Sequence, residues 1–175
     1  MSAQTLLSSL FRYKAWADEG LIAGLRDLAH DRHNGERDTA TCIFSHAHIV
    51  DKIFAAHLQQ VRHGYATTGT DDVPSLEELA QSIRETDQWY IAYVESLTSL
   101  EFSDTVEFVF TDGSLGRMSR EEIFGHVIAH GGYHRGEVGR ILTQLTASSP
   151  RDTFTGYLHE VDPARGGLMG RSTAL

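Results

Sequence analysis

The sequence predicts an all-α protein, a four-helix bundle with a short β-hairpin before the last long helix. Three observations carry this. Four segments place apolar residues at steps of three and four, the spacing of one helical face. The three prolines, at 74, 150 and 163, all fall at breaks between those segments, where a helix has to stop. One short run, Thr105 to Phe110, alternates instead and is β-branched or aromatic.

The first helix is expected from about Thr5 to about Leu28, with Leu10, Tyr13, Ala17, Leu21, Leu25 and Leu28 on its inner face. The polar stretch Asp31 to Arg37 reads as a loop. A second helix is expected from about Thr39 to His63, its seam formed by Ile43, His46, Val50, Ile53 and His57. Gly64 to Val73 is rich in Gly, Thr and Asp and reads as a loop. Ser75 and Glu78 then form a capping box, in which each side chain answers the other's backbone amide. Leu76, Leu79, Ile83, Tyr90, Val94 and Leu97 give the third helix its apolar face. The alternating run, followed by Asp112-Gly113, predicts a hairpin ending near Met118. Ser119 and Glu122 form a second capping box, with Met118 and Ile123 as a hydrophobic staple, and the fourth helix runs to about Thr146. Residues 1–160 make one domain, and residues 161–175, with Gly166, Gly167, Gly170 and no clear period, read as a tail.

Composition narrows the function. The chain has 175 residues and a formal net charge of −9, with no Lys/Arg cluster, so a nucleic-acid partner is disfavoured. No apolar run reaches the roughly 20 residues that span a bilayer. The N-terminus has no secretory signal pattern. The single cysteine, Cys42, cannot form an internal disulfide, which makes a cytoplasmic setting the expectation. Ten histidines are the unusual feature.

His126, His130 and His134 stand at i, i+4 and i+8 and stack along one side of the fourth helix. All three cannot bind one ion, because i to i+8 rises about 12 Å while a Zn–N bond is about 2.0–2.1 Å. Ile123, Val127, Val138, Ile141 and Leu145 define the buried side. His130 and His134 fall nearer its centre than His126, so they are the expected pair. A third ligand has to come from a facing helix, and His46, set in the apolar seam of the second helix, is the candidate. His48 projects away from that seam, and His57 lies about three turns further on. Gly131 and Gly132 each cost a helix roughly 1 kcal/mol. They fit either a bare backbone beside the site or close packing by a neighbour.

Three segments then show a resemblance: Phe11-Arg12-Tyr13-Lys14-Ala15-Trp16-Ala17-Asp18, Phe44-Ser45-His46-Ala47-His48-Ile49-Val50-Asp51, and His130-Gly131-Gly132-Tyr133-His134-Arg135-Gly136. Over about Leu6 to Glu160 the chain resembles the DinB/YfiT-like superfamily of metal-binding four-helix bundles. The resemblance implies metal ligation by His46, His130 and His134, and a homodimer. It also implies thiol-dependent transferase or isomerase chemistry as one possibility. Tyr133, Ala129, Glu137 and Asp18 depart from the family's usual residues.

Three neutral imidazoles leave a fourth position open, as in a catalytic site. Zinc suits the set first; ligand type alone does not rule out nickel, manganese or iron. The expected cofactor is therefore one divalent ion per chain. The expected partner is a small-molecule substrate, hydrolysed with metal-activated water or conjugated to a low-molecular-weight thiol. A metal-binding module without catalysis is the alternative. His126 is a candidate neighbour of the ligands, as a hydrogen-bond or acid–base group, or else a plain edge histidine. Arg135 is another candidate, with Asp51 or Asp152 as its partner, and Asp51 is the third. Paired Glu-x-x-His motifs for a di-iron site and a Gly-x-Ser-x-Gly elbow are absent from the sequence.

Overall fold

In the computed structural model, which describes residues 2–28, 33–69, 74–146 and 150–165, the chain forms four long helices, a hairpin and one short helix. These are α1 (Ala3–Asp27), α2 (Asn34–Leu58), α3 (Leu76–Ser96), β1 (Thr105–Val109), β2 (Leu115–Ser119), α4 (Arg120–Thr146) and α5 (Phe154–Val161). α1 packs on α3 and α4, and α2 packs on α4 and α3, so the consecutive helices α1 and α2 occupy diagonal corners. No helix among the described residues is long and apolar enough to cross a membrane.

Both expected capping boxes are present. Glu78 N–H donates to Ser75 Oγ (3.3 Å) while Ser75 N–H donates to Glu78 Oε2 (3.0 Å). Glu122 N–H donates to Ser119 Oγ (3.2 Å) and Ser119 N–H to Glu122 Oε2 (2.7 Å). The hairpin pairs Thr105 with Ser119 through Val109 with Leu115, antiparallel. Its turn closes with Gly113 N–H donating to Phe110 O (2.9 Å), and Gly113 takes φ +87°, the left-handed conformation such a turn requires.

Three expectations need correction. α2 begins at Asn34 and ends at Leu58, five residues before the expected His63. Polar composition at 34–37 signalled exposure, not a loop. The end is a Schellman cap: Gln60 adopts φ 56°, its N–H donates to His57 O (3.0 Å), and Val61 N–H donates to Ala56 O (3.0 Å). A glutamine in the position glycine usually fills hid that stop. α5 was not expected; it is eight residues long, starts on a Thr153 cap and lays Tyr157 over Tyr13 and Trp16 of α1. Residues 161–165 therefore continue α5 into a short 3₁₀ turn, Pro163–Arg165, and the rest of the expected tail lies outside the described residues.

The apolar core falls into two halves. One, toward the hairpin, gathers Phe11, Phe54, Tyr90, Val94, Val106, Phe108, Phe124 and Val127. The other gathers Leu21, Ile22, Leu25, Phe44, Leu79, Ile83, Val138 and Leu142. Between them lies a buried layer of charge. Lys14, 3% exposed, donates to Asp18 (2.8 Å), Asp51 (2.9 Å) and Asp87 (2.7 Å), one carboxylate each from α1, α2 and α3. Arg135 of α4 joins from the other side, 3.5 Å from Asp18 and 2.9 Å from Asp152. Burial opposes the Lys14 charge, but the three carboxylates hold it protonated well above its ordinary 10.5. Burial pushes Asp87 up to about 8 and also raises Asp51, the Lys14 ammonium pulling each the other way.

Removing the lysine strands its partners. Lys14→Met is expected to destabilise the fold by about 3–5 kcal/mol in urea unfolding, the usual cost of leaving buried charges uncompensated; a loss under about 1 kcal/mol would show that the layer is dispensable.

A second expectation concerns pH. Folded Asp87 keeps its proton to about pH 8, whereas the unfolded chain loses it near the ordinary 3.8. Across that window the folded state binds more protons, so this group's contribution to stability falls as pH rises. Asp87→Asn is expected to flatten the decline in unfolding free energy between pH 5 and pH 8. An unchanged slope would refute the assignment.

Candidate metal centre

α2 and α4 bring three of the ten histidines together at the level of the charged layer. His46, His130 and His134 each present a ring nitrogen, and these atoms all lie within 4.8 Å of one another. Ring centroids are 4.5 Å apart for His130–His134, 4.8 Å for His46–His134 and 5.4 Å for His46–His130. His130 Nε2 and His134 Nε2 stand 3.2 Å apart. Two nitrogens on one tetrahedral zinc would be separated by ~3.3 Å, given Zn–N of about 2.0–2.1 Å. All three residues are half-buried, so the cluster lies at the edge of the helix seam.

Hydrogen bonds orient two of the rings. His46 Nδ1 lies 2.8 Å from the Thr68 carbonyl, which can only accept, so Nδ1 carries a hydrogen and Nε2 is the ring nitrogen left for other partners. His134 Nδ1 lies 2.6 Å from Glu137 Oε2, a carboxylate that orients the ring by accepting from it. His130 Nδ1 is buried without a partner, and its ring stacks on His126 instead, centroids 5.4 Å apart and planes 28° apart. Burial, followed by the neighbouring His134, His126 and His46, lowers His130 to about 4, so it is neutral and available as a donor at neutral pH. Three ring nitrogens converging in this way could hold a divalent ion.

The remaining candidates separate. His126 touches the cluster through that stacking and lies 4.7 Å from the Phe54 ring; burial lowers its pKa. Arg135 and Asp51 belong to the charged layer, Arg135 with Asp152 and Asp18, Asp51 with Lys14. Of the two partners considered for Arg135, the structure places Asp152 against it and Asp51 against Lys14. His48, two residues after His46, turns to α3, where its Nε2 lies 2.8 Å from Ser82 Oγ. Burial, then the Lys14 and Lys52 charges, lowers His48 to about 3.

Sequence reasoning missed Glu137, Thr68 and Lys14. Glu137 stands three residues after His134, a spacing that puts the two side chains on adjacent turns, so it was within reach of the pattern. Thr68 acts through its carbonyl, which no residue type reveals. Gly131 is also explained, and Gly132 is not. A Cβ on Gly131 would meet Arg135 Nη1 at 3.3 Å and Lys14 Cε at 3.4 Å, so its bareness admits the charged layer of α1, whereas one on Gly132 would meet Arg135 Nη2 only at an ordinary 3.7 Å.

A helical bundle with a half-buried trio of imidazoles on facing helices defines a protein with a candidate divalent-metal centre. Comparison with known sequences agrees and is more specific: the profile of the DinB family matches residues 1–165, and the chain belongs to that family. Protein DinB of Bacillus subtilis (strain 168) is 23% identical over 154 residues, covering 82% of this chain and 88% of the relative. No solved structure matches the chain.

If Glu137 holds the His134 ring in place, Glu137→Ala should lower zinc affinity about 10- to 100-fold in competition with a chromophoric chelator. Affinity within about twofold of the parent would mean that the carboxylate does not support the ring.

Proposed function

We propose that the chain binds one divalent ion, zinc in the first place, through His46, His130 and His134, and that it is a metal-dependent enzyme acting on a small molecule. The convergence of three ring nitrogens within 4.8 Å carries this reading. The donor set fits such an ion in chemistry as well as in spacing. Imidazole suits zinc, nickel and iron. Thr68 and Glu137 hold two of the rings by their Nδ1 atoms, leaving each Nε2 for a ligand role. Burial keeps His130 free of a proton.

Among the described residues no carboxylate or thiol completes the cluster. Cys42 is exposed and outside it. That supports an open fourth position over a closed structural site. When bound, a divalent ion supplies Lewis acidity to the oxygen or sulfur placed there. The chain's own contribution is to fix three neutral donors, so the ion's charge stays uncompensated by its ligands. An anionic partner such as a thiolate or a carboxylate is then favoured over a neutral one. Transfer of a low-molecular-weight thiol and hydrolysis are the two reactions this centre suits, thiol transfer drawing on the family resemblance.

The test is elemental analysis of untagged protein beside His130→Ala/His134→Ala. About one metal per chain, lost in the double variant, is expected. Less than about a tenth of an equivalent, even after loading with zinc, nickel and manganese, would sink the reading.

A further inference from the structure

α2 and α3 pack less closely than the other neighbouring long helices, and a groove runs between them. Two tyrosines of α3 tie the pair together: Tyr90 OH donates to Asp51 O (2.7 Å) and Tyr93 OH to Leu58 O (3.1 Å). The groove contains two cavities, of about 390 Å³ and about 260 Å³, and Lys52 and Ser82 line both. These two residues therefore stand where the cavities meet. Ile49, Leu79 and Tyr65 line the larger cavity, and Ala55, Ala56 and Trp89 the smaller. A few polar groups set in largely apolar walls are the composition of a small-molecule site.

The charged groups of the groove are not equally occupied. Glu78 caps α3, accepting from Ser75 N–H, and Glu85 accepts from Gln81 Nε2 (2.7 Å). Lys52 is half-buried, and among the described residues its ammonium has neither an ion pair nor a hydrogen bond. Its charge acts on the ring of His48, which is 6% exposed and lines the larger cavity. His48 Nε2 stands 2.8 Å from Ser82 Oγ, the one side-chain contact of that hydroxyl among the described residues. A hydroxyl donates one hydrogen bond and accepts two, so Ser82 has capacity left toward the cavities. When His48 donates through Nε2, the Ser82 hydrogen is free for a further partner. An unpaired ammonium and a hydroxyl lining the same junction make a site for a negatively charged oxygen.

We propose that this groove is a ligand site, separate from the three-histidine cluster, for a small monocarboxylate. The carboxylate sits at the junction, accepting from Lys52 Nζ and Ser82 Oγ, and the apolar body lies along Ile49, Leu79 and Tyr65 in the larger cavity. One ammonium stands in the groove against two carboxylates, Glu78 and Glu85, so a single negative charge is matched and a second is repelled. Phosphate esters and dicarboxylates are disfavoured on that count, and an amine is disfavoured beside Lys52. The site does not depend on the metal reading, since His46, His130 and His134 line neither cavity.

Titration of the isotope-labelled full chain, zinc-loaded and metal-free, with hexanoate, hexanamide and hexylamine tests it, followed by backbone amide chemical shifts. Hexanoate is expected to bind both forms alike and to move the Ile49, Lys52 and Ser82 amides. The uncharged amide, of the same shape, should bind about tenfold more weakly, and the amine more weakly still. Lys52→Met keeps an aliphatic stem and removes the charge. It should weaken hexanoate about tenfold and leave hexanamide unchanged. Ser82→Ala should weaken hexanoate severalfold. Circular dichroism melting confirms that each variant is folded, and the comparison of the three ligands needs no variant. Hexanoate binding that requires zinc, or that survives Lys52→Met undiminished, places the carboxylate elsewhere and overturns the proposal. So does hexanamide or hexylamine binding as tightly as hexanoate, or the absence of any shift with hexanoate at about 10 mM, which would put the affinity below a useful range.

Discussion

Lys14 sets the height of every helix in this bundle. Its ammonium is answered by carboxylates on α1, α2 and α3, and Arg135 ties α4 and the segment before α5 into the same layer. Buried ion pairs rarely stabilise a protein relative to apolar residues of the same volume, because desolvation offsets the attraction. What they do well is penalise alternatives. Sliding one helix by a turn, about 5.4 Å, would keep most apolar contacts and would strand a buried charge. The two apolar halves of the core could tolerate such a slip far better than the layer between them. The charged layer therefore acts as a register pin.

That pin has a direct consequence for the candidate metal centre. His46 is five residues before Asp51, and Gly131 and Arg135 directly follow His130 and His134. The separation of His46 from the other two imidazoles depends on the relative height of α2 and α4, which Asp51 and Arg135 fix through Lys14 and Asp18. Gly131 completes the arrangement: without a Cβ, it lets the Lys14 stem and the Arg135 guanidinium pass against α4 between the two histidines. The glycine costs helix propensity and the charges cost desolvation. Both are spent within one turn of the trio, which is the pattern expected where geometry matters more than stability.

How much of this could be read from the chain alone varies from element to element for physical reasons. The α3 face, both capping boxes and the hairpin were legible because their signals are local, set by residues within a few positions of one another. The histidine trio was legible because two of its members share one helix face at i, i+4, and the third broke an apolar seam. α1 was legible as a helix, and its inner face was right at Ala17, Leu21, Leu25 and Leu28 but wrong in its first turns. Its buried stripe runs through Leu7, Phe11, Lys14, Asp18, Leu21 and Leu25, and a reading that admits only apolar residues to the core discards Lys14 and Asp18. It settles instead on Leu10 and Tyr13, which are only half-buried. In α4 the expected face was right at Ile123, Val127, Val138 and Ile141, but the same exclusion passed over Gly131 and Arg135 in the middle of its buried line. A charge can sit in the core only if its partners arrive from other helices, and that is information no single segment holds.

The electrostatic balance of the layer also suits the centre beside it. Two cations, Lys14 and Arg135, face four carboxyls, Asp18, Asp51, Asp87 and Asp152. Fully ionised, the layer would carry an excess of two negative charges. With Asp87 raised to about 8 it keeps its proton at neutral pH, and the raised Asp51 moves in the same direction. The excess is therefore reduced without removing any hydrogen-bond partner of Lys14. An ion in the proposed centre would then face a buried layer with less excess negative charge than full ionisation gives. The layer thus holds the three histidines at one height and, on the proposed reading, would leave more of the ion's field to its open side.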